Sequence, residues 1–115
     1  MRPAQEIETF PDGVVDVYEE ESRTLGELKC SLRYERQSVG VNRYYQAQAL
    51  ASNRIDRVIK VPHTNLVNRM DIVVMRTEDG RQYRITRIQE KPDRGVDLWE
   101  LQSVQISIRR VEREN

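Results

Sequence analysis

The stretch LKCSLRYE, residues 28–35, carries the strongest structural signal in the chain. Leu28, Cys30, Leu32 and Tyr34 alternate with Lys29, Ser31, Arg33 and Glu35, the period of two expected of a strand with one wet face. Upstream, Pro11-Asp12-Gly13 is a turn signal followed by Val14, Val15, Val17 and Tyr18, which predicts a first strand near Val14 to Tyr18. The acidic run Glu19 to Glu21, with Ser22, Arg23 and Thr24, reads as a solvated connection. Downstream, the alternation stops in the polar stretch Gln37, Ser38, Val39, Gly40. Residues 41–51, VNRYYQAQALA, are rich in Ala and Gln and predict a short helix, although the paired tyrosines favour a strand.

Beyond that, IDRVIKV (55–61) is β-branched and stops at Pro62, which cannot donate to a ladder. Pro62 to Arg69 is polar and irregular and predicts an exposed loop. Asp71 to Arg76 and Arg81 to Ile88 flank Asp79-Gly80, the signature of a tight hairpin with Tyr83 and Ile85 on one face. A turn at Pro92 to Gly95 leads into Val96 to Ile108. There the apolar positions change phase near Gln102 and Ser103, so a bulge or bend is expected. Five or six short strands and one helical insert imply a mainly β fold, a small antiparallel barrel or sandwich with one short helix and long loops. The layout is an N-terminal extension over 1–12, the β domain over 13–108, and a charged tail over 109–115 that frays.

Length and composition fit one domain: 115 residues, 37% hydrophobic and 33% charged, are too apolar for a disordered tail and too polar to span a bilayer. Nineteen basic and nineteen acidic side chains cancel, which argues against a protein devoted to coating nucleic acid. The charge is unevenly placed, however. Residues 1–30 hold three basic and eight acidic groups, for −5, whereas residues 33–60 hold six basic against two acidic, for +4. Arg54, Arg57 and Lys60 are candidate basic contacts within that second segment. The two segments suit either head-to-tail contacts between neighbouring copies or pairing inside one molecule. Sixteen of the nineteen basic residues are Arg, whose rigid donor fork suits polar interfaces.

Cys30 is the sole cysteine, so no internal disulfide or all-cysteine zinc site can form, and its apolar phase marks it as a small core residue. The first ten residues lack a basic stretch followed by an apolar run, and no window is long and apolar enough to span a membrane; the expectation is a protein that works without one. Catalytic motifs are missing from the sequence: no P-loop, no GxGxxG, no HExxH. His63, the one histidine, sits in the Pro62 to Arg69 loop with no partner set by spacing, and Glu19 to Glu21 reads as a solvated charge run and not a cation site. The expectation is therefore a non-enzyme with no cofactor and no metal. A rival reading makes Arg43, Tyr44 and Tyr45 a stacking platform for single-stranded nucleic acid.

Four segments, taken in order, resemble the head-tail joining, or head closure, proteins of tailed bacteriophages and prophages. They are DGVVDVY (12–18), RYYQAQAL (43–50), IDRVIKVPH (55–63) and DGRQYRITRIQEKPDRGVDLWELQSV (79–104). The likeness spans Val14 to Val104, and its most specific part is Asp79-Gly80 with Tyr83, Arg84 and Ile85, then Leu98, Glu100 and Leu101. The resemblance implies a structural connector that docks as a ring below the portal or its adaptor, joins capsid to tail and helps retain packaged DNA. It would act at the head-tail interface of the virion after assembly in the host cytoplasm, with the portal or adaptor ring, tail proteins and its own copies as partners and non-specific DNA contact in the channel. Two loops are candidates for the interface or channel. One is Gln37, Ser38, Val39, Gly40, Val41 and Asn42, continuing into Arg43, Tyr44 and Tyr45. The other carries His63, Thr64, Asn65, Asn68 and Arg69. A tail-completion or terminator protein of the same particle is the near alternative.

Overall fold

In the computed structural model, residues 8–38 and 55–106 are described. Six strands follow in chain order: β1 (Gly13–Glu21), β2 (Thr24–Gln37), β3 (Arg57–Pro62), β4 (Ile72–Met75), β5 (Arg81–Lys91) and β6 (Val96–Ser103). They form one sheet in the order β1-β2-β3-β6-β5-β4, which closes into a barrel where β4 pairs with β1. Every neighbouring pair is antiparallel. The expected barrel or sandwich with one short helix is corrected accordingly. There is one sheet and not two stacked ones, and no helix occurs among the described residues. The segment expected to be helical, 41–51, lies outside the described residues.

The period of two explains why this sequence closes. Alternate residues of each strand point inward, and the barrel fills with Val15 and Val17 from β1, Tyr34 from β2, and Ile59 and Val61 from β3. Val73 and Met75 of β4, Tyr83 and Ile85 of β5, Trp99 and Leu101 of β6, and Val67 from the loop before β4 complete it. Cys30 and Leu32 pack against this cluster from β2 and remain half-buried. Trp99 is wholly buried, and its indole N–H has no hydrogen-bond partner among the described residues.

Several boundaries move from their sequence positions, each for a physical reason. β1 runs on through Glu19 to Glu21, which therefore form strand and not a connection; they pair with β2 from Glu20 opposite Leu25 to Glu21 opposite Thr24. The inward phase of β2 holds from Cys30 to Tyr34 and fails at Leu28, which is 52% exposed. Val17 faces Cys30 whereas Tyr18 faces Leu28, so Lys29 is an extra residue bulged out of the ladder. Asp79-Gly80 does not make a two-residue hairpin. The connection runs from Met75 to Arg81, with Asp79 at φ 57° and Gly80 at φ 69° supplying the left-handed step that returns the chain. The phase change expected in the last strand has another origin: β6 ends at Ser103, and the bulge lies in β5, between Ile85 opposite Leu101 and Arg87 opposite Glu100.

Gly13, at φ 148°, is required where it stands. A Cβ there would collide with the Thr77 hydroxyl, which accepts a hydrogen bond from the Val14 N–H at 3.2 Å. The β4–β5 turn is thereby seated on the start of β1.

Candidate functional site

β3 separates the two candidate loops. The end of β2 at Gln37 and the start of β3 at Arg57 lie at one end of the barrel, and the Pro62 to Arg69 loop leaves β3 at the other. Of the first loop and its basic neighbours, Gln37 and Ser38 are described; Val39, Gly40, Val41, Asn42, Arg43, Tyr44, Tyr45 and Arg54 lie outside the described residues. The candidate stacking platform falls among these.

At the end where β3 begins, the β4–β5 turn presents Glu78 to three donors. Arg57 Nη1 reaches its two carboxylate oxygens at 2.9 and 3.0 Å, Arg36 Nη2 lies at 3.3 Å, and the buried Tyr34 hydroxyl donates to Oε2. The Arg57 guanidinium also sits 5.3 Å from the centroid of the Tyr83 ring. Burial works to raise the Glu78 pKa, but the hydrogen bonds from Tyr34 and Arg57, with the Arg57 charge, outweigh it and hold the carboxyl at about 2. Burial and the Glu78 carboxylate push the Tyr34 hydroxyl up to about 12. These contacts make the cluster a clamp that ties the turn to β2 and β3.

The opposite end carries the second loop. His63 Nδ1 lies 2.9 Å from Asp97 Oδ1, and Asp97, only 1% exposed, also accepts the Thr64 N–H at 3.3 Å. The hydrogen bond to Asp97 raises the His63 pKa against the effect of burial, helped by the charges of Asp97 and Glu90. His63 is thus an exposed loop residue, but one oriented by a buried carboxylate that sequence spacing did not reveal. Asn65, Asn68 and Arg69 are exposed, with Arg69 Nε donating to the Thr86 carbonyl at 3.0 Å. Asp71 accepts the Asn68 N–H at 2.8 Å and pairs with Lys29 Nζ at 2.7 Å. The bulge at Lys29 is what aims that side chain at the loop.

The candidate basic contacts Arg57 and Lys60 are both engaged internally. Lys60 lies 2.8 Å from Glu8 and 2.8 Å from Glu35, with the Phe10 ring 5.2 Å away. Burial works to lower its pKa, and the hydrogen bonds to Glu35 and Glu8 outweigh that and raise it. The acidic N-terminal segment supplies further internal partners: Asp16 to Arg76 at 2.6 Å, and Glu20 to Arg84 at 2.8 Å. Pairing inside one molecule therefore accounts for much of the charge asymmetry. Of the residues singled out by the sequence pattern, Tyr83, Ile85 and Leu101 belong to the core, Leu98 is half-buried in β6, and Asp79 and Gly80 shape the turn.

Sequence reasoning missed the feature most suited to contact another chain. β2 meets β3 only at Glu35, Arg36 and Gln37, whereas its pairing with β1 extends from Tyr34 back to Thr24. Among the described residues, Thr24 to Tyr34 therefore has a strand neighbour on one side alone. β1 and β2 form an arm that leaves the barrel beyond Tyr18, the last residue of β1 paired with β4. No known protein-family model matches this sequence, and no curated protein is detectably similar to it.

Proposed function

We propose that this protein is a structural connector of a tailed phage or prophage particle, docking as a ring below the portal or adaptor, linking head to tail and helping to hold packaged DNA. The observation that supports the reading is a closed barrel with a polar cluster at each end, Glu78 with Arg57 and Arg36 at one and His63 with Asp97 at the other. A link in a stack of rings needs a stiff body with one face for the ring above and another for the ring below, and this geometry supplies both. The segments that resemble head closure proteins supply much of that body, including Tyr83, Ile85 and Leu101. The polar clusters at the two ends join turns and loops to the barrel, a role that needs no bond-making step. A nucleic-acid-binding role gains no support from Arg57 and Lys60, because both are neutralised by carboxylates.

The test uses the full chain and DNA-filled, tail-less heads of the phage or prophage that encodes it. The expected result is co-sedimentation with the heads, slower DNA loss, and competence to accept tails. Failure to bind heads, with DNA loss unchanged, overturns the proposal; binding to isolated tails alone moves the protein to tail completion.

A further inference from the structure

The loop that leaves β3 at Pro62 is held to the barrel at three points. Val67 enters the core cluster, and at the far end Asp71 receives the Asn68 N–H. The third point, at the near end, is the buried Asp97 of β6. One of its carboxylate oxygens meets His63 Nδ1 at 2.9 Å, and the other accepts the Thr64 N–H at 3.3 Å. The His63 N–H donates to the Gly95 carbonyl at 2.9 Å, and the Thr64 hydroxyl accepts the Leu66 N–H at 3.1 Å. The start of the loop therefore hangs from one carboxylate.

Histidine is the side chain whose charge changes near neutral pH, so the charges around His63 decide what that change does. β6 supplies Asp97, and β5 supplies Glu90, opposite Asp97 in the ladder, and Lys91, opposite Val96. The turn between them carries the exposed Asp93 and Arg94, and Arg94 is drawn away to Glu8 at 3.0 Å. Lys60 of β3 is held by Glu8 and Glu35, and on the loop itself Arg69 is bound to the Thr86 carbonyl. Asp97 and Glu90 are left to act on the ring, and both favour its protonated form.

We propose that His63 is a pH-dependent latch: as an imidazolium facing the carboxylates of Asp97 and Glu90 it pins the start of the Pro62 to Arg69 loop, and on losing its proton it frees His63 to Leu66 to move while the barrel stays in place. The imidazolium gives Asp97 a charge-assisted hydrogen bond; the neutral ring gives a weaker one, or none when its proton sits on Nε2. Because the folded pKa of His63 is raised above its ordinary 6.5, the grip is complete below about 6.5 and is lost as pH rises through the raised value. The latch concerns this loop alone and is judged apart from the connector reading.

NMR on the full chain tests it. The ring of His63, the only histidine, reports its own titration. Solvent-exchange rates of the Thr64 and Leu66 amides, corrected for the intrinsic effect of pH, report the loop. Protection of both amides falls about threefold to tenfold between about pH 6 and about pH 8.5, with the midpoint of the His63 titration, while the Asn68 and Ile59 amides keep theirs. His63→Gln can donate but does not titrate, and its loop protection is flat across that range. Asp97→Asn brings the His63 titration down toward its ordinary value and leaves Thr64 weakly protected at every pH. Glu90→Gln, at an exposed position, moves the titration the same way by less, and it serves where circular dichroism shows that the buried substitution unfolds the chain. Loop protection that ignores the His63 titration overturns the proposal. So does a pH response that survives in His63→Gln, or a His63 titration that neither acidic substitution moves.

Discussion

Where β1 and β2 run through the barrel, Val15, Val17 and Tyr34 are wholly buried and β1 has β2 on one side and β4 on the other; a few residues further on, the same two strands carry Glu19, Glu21, Glu27 and Leu28 in solvent. The strands do not differ in backbone type between these regions. They differ in what surrounds them. In the body, inward side chains from all six strands pack into one cluster, so the period of two becomes a packed core. In the arm, the two strands pair with each other, and among the described residues Lys29 to Asp71 and Glu20 to Arg84 tie them to the body. An isolated two-stranded ribbon is marginal in water, so the arm depends on the barrel whereas the barrel does not depend on the arm.

The largest expected effect is a contrast between two substitutions. Trp99→Ala removes the largest fully buried side chain and costs about 3–5 kcal/mol of stability, measured by urea unfolding. Leu28→Ser in the arm changes stability by less than about 0.5 kcal/mol. Equal losses from the two would erase the distinction between body and arm.

Next comes the clamp at the barrel end. Glu78→Gln costs on the order of 2 kcal/mol, because Arg57 loses a charged partner in a site where Glu78 is 16% exposed. The pH dependence sharpens this. The folded pKa of Glu78, about 2, lies below its ordinary value of 4.5, so the stability it contributes is fully present above about 4.5 and is lost as pH falls toward 2. Urea midpoints across that window fall for the parent and fall less steeply for Glu78→Gln.

The smallest effect is the most selective. Lys29→Ala breaks the tie between arm and loop and costs about 1 kcal/mol or less in global unfolding. Hydrogen exchange shows its main consequence: amides of Glu19 to Leu28 exchange faster, while those of Ile59 and Ile85 are unchanged. Uniform acceleration would mean that the arm and the barrel open together.

The residues that make the core were legible in the chain because alternation reports burial directly. LKCSLRYE, the β-branched run before Pro62, and Tyr83 with Ile85 all reach the strands their patterns predict. Events that need a partner strand were not legible. Lys29 looks like any outward residue of an alternating run, and only the pairing of Val17 with Cys30 and Tyr18 with Leu28 reveals it as a bulge. The shift placed near Gln102 instead belongs to β5, since a bulge is a property of two strands and the sequence shows them one at a time. Likewise, His63 and Asp97 stand far apart in the chain, and the fold brings them to 2.9 Å. That Thr24 to Tyr34 has, among the described residues, a strand neighbour on one side alone was invisible for the same reason: alternation tells which side of a strand is wet, but not where its neighbour ends.

The position of Trp99 governs what spectroscopy can see. It is the only tryptophan in the chain and wholly buried, with an indole N–H that finds no hydrogen-bond partner among the described residues. Its fluorescence is therefore a blue-shifted beacon for the interior alone, and it stays lit while the β1–β2 ribbon peels away. An emission-monitored melt would record a single clean transition and overlook that motion, so a dye placed near Ser22 would be needed to watch the other half of the molecule.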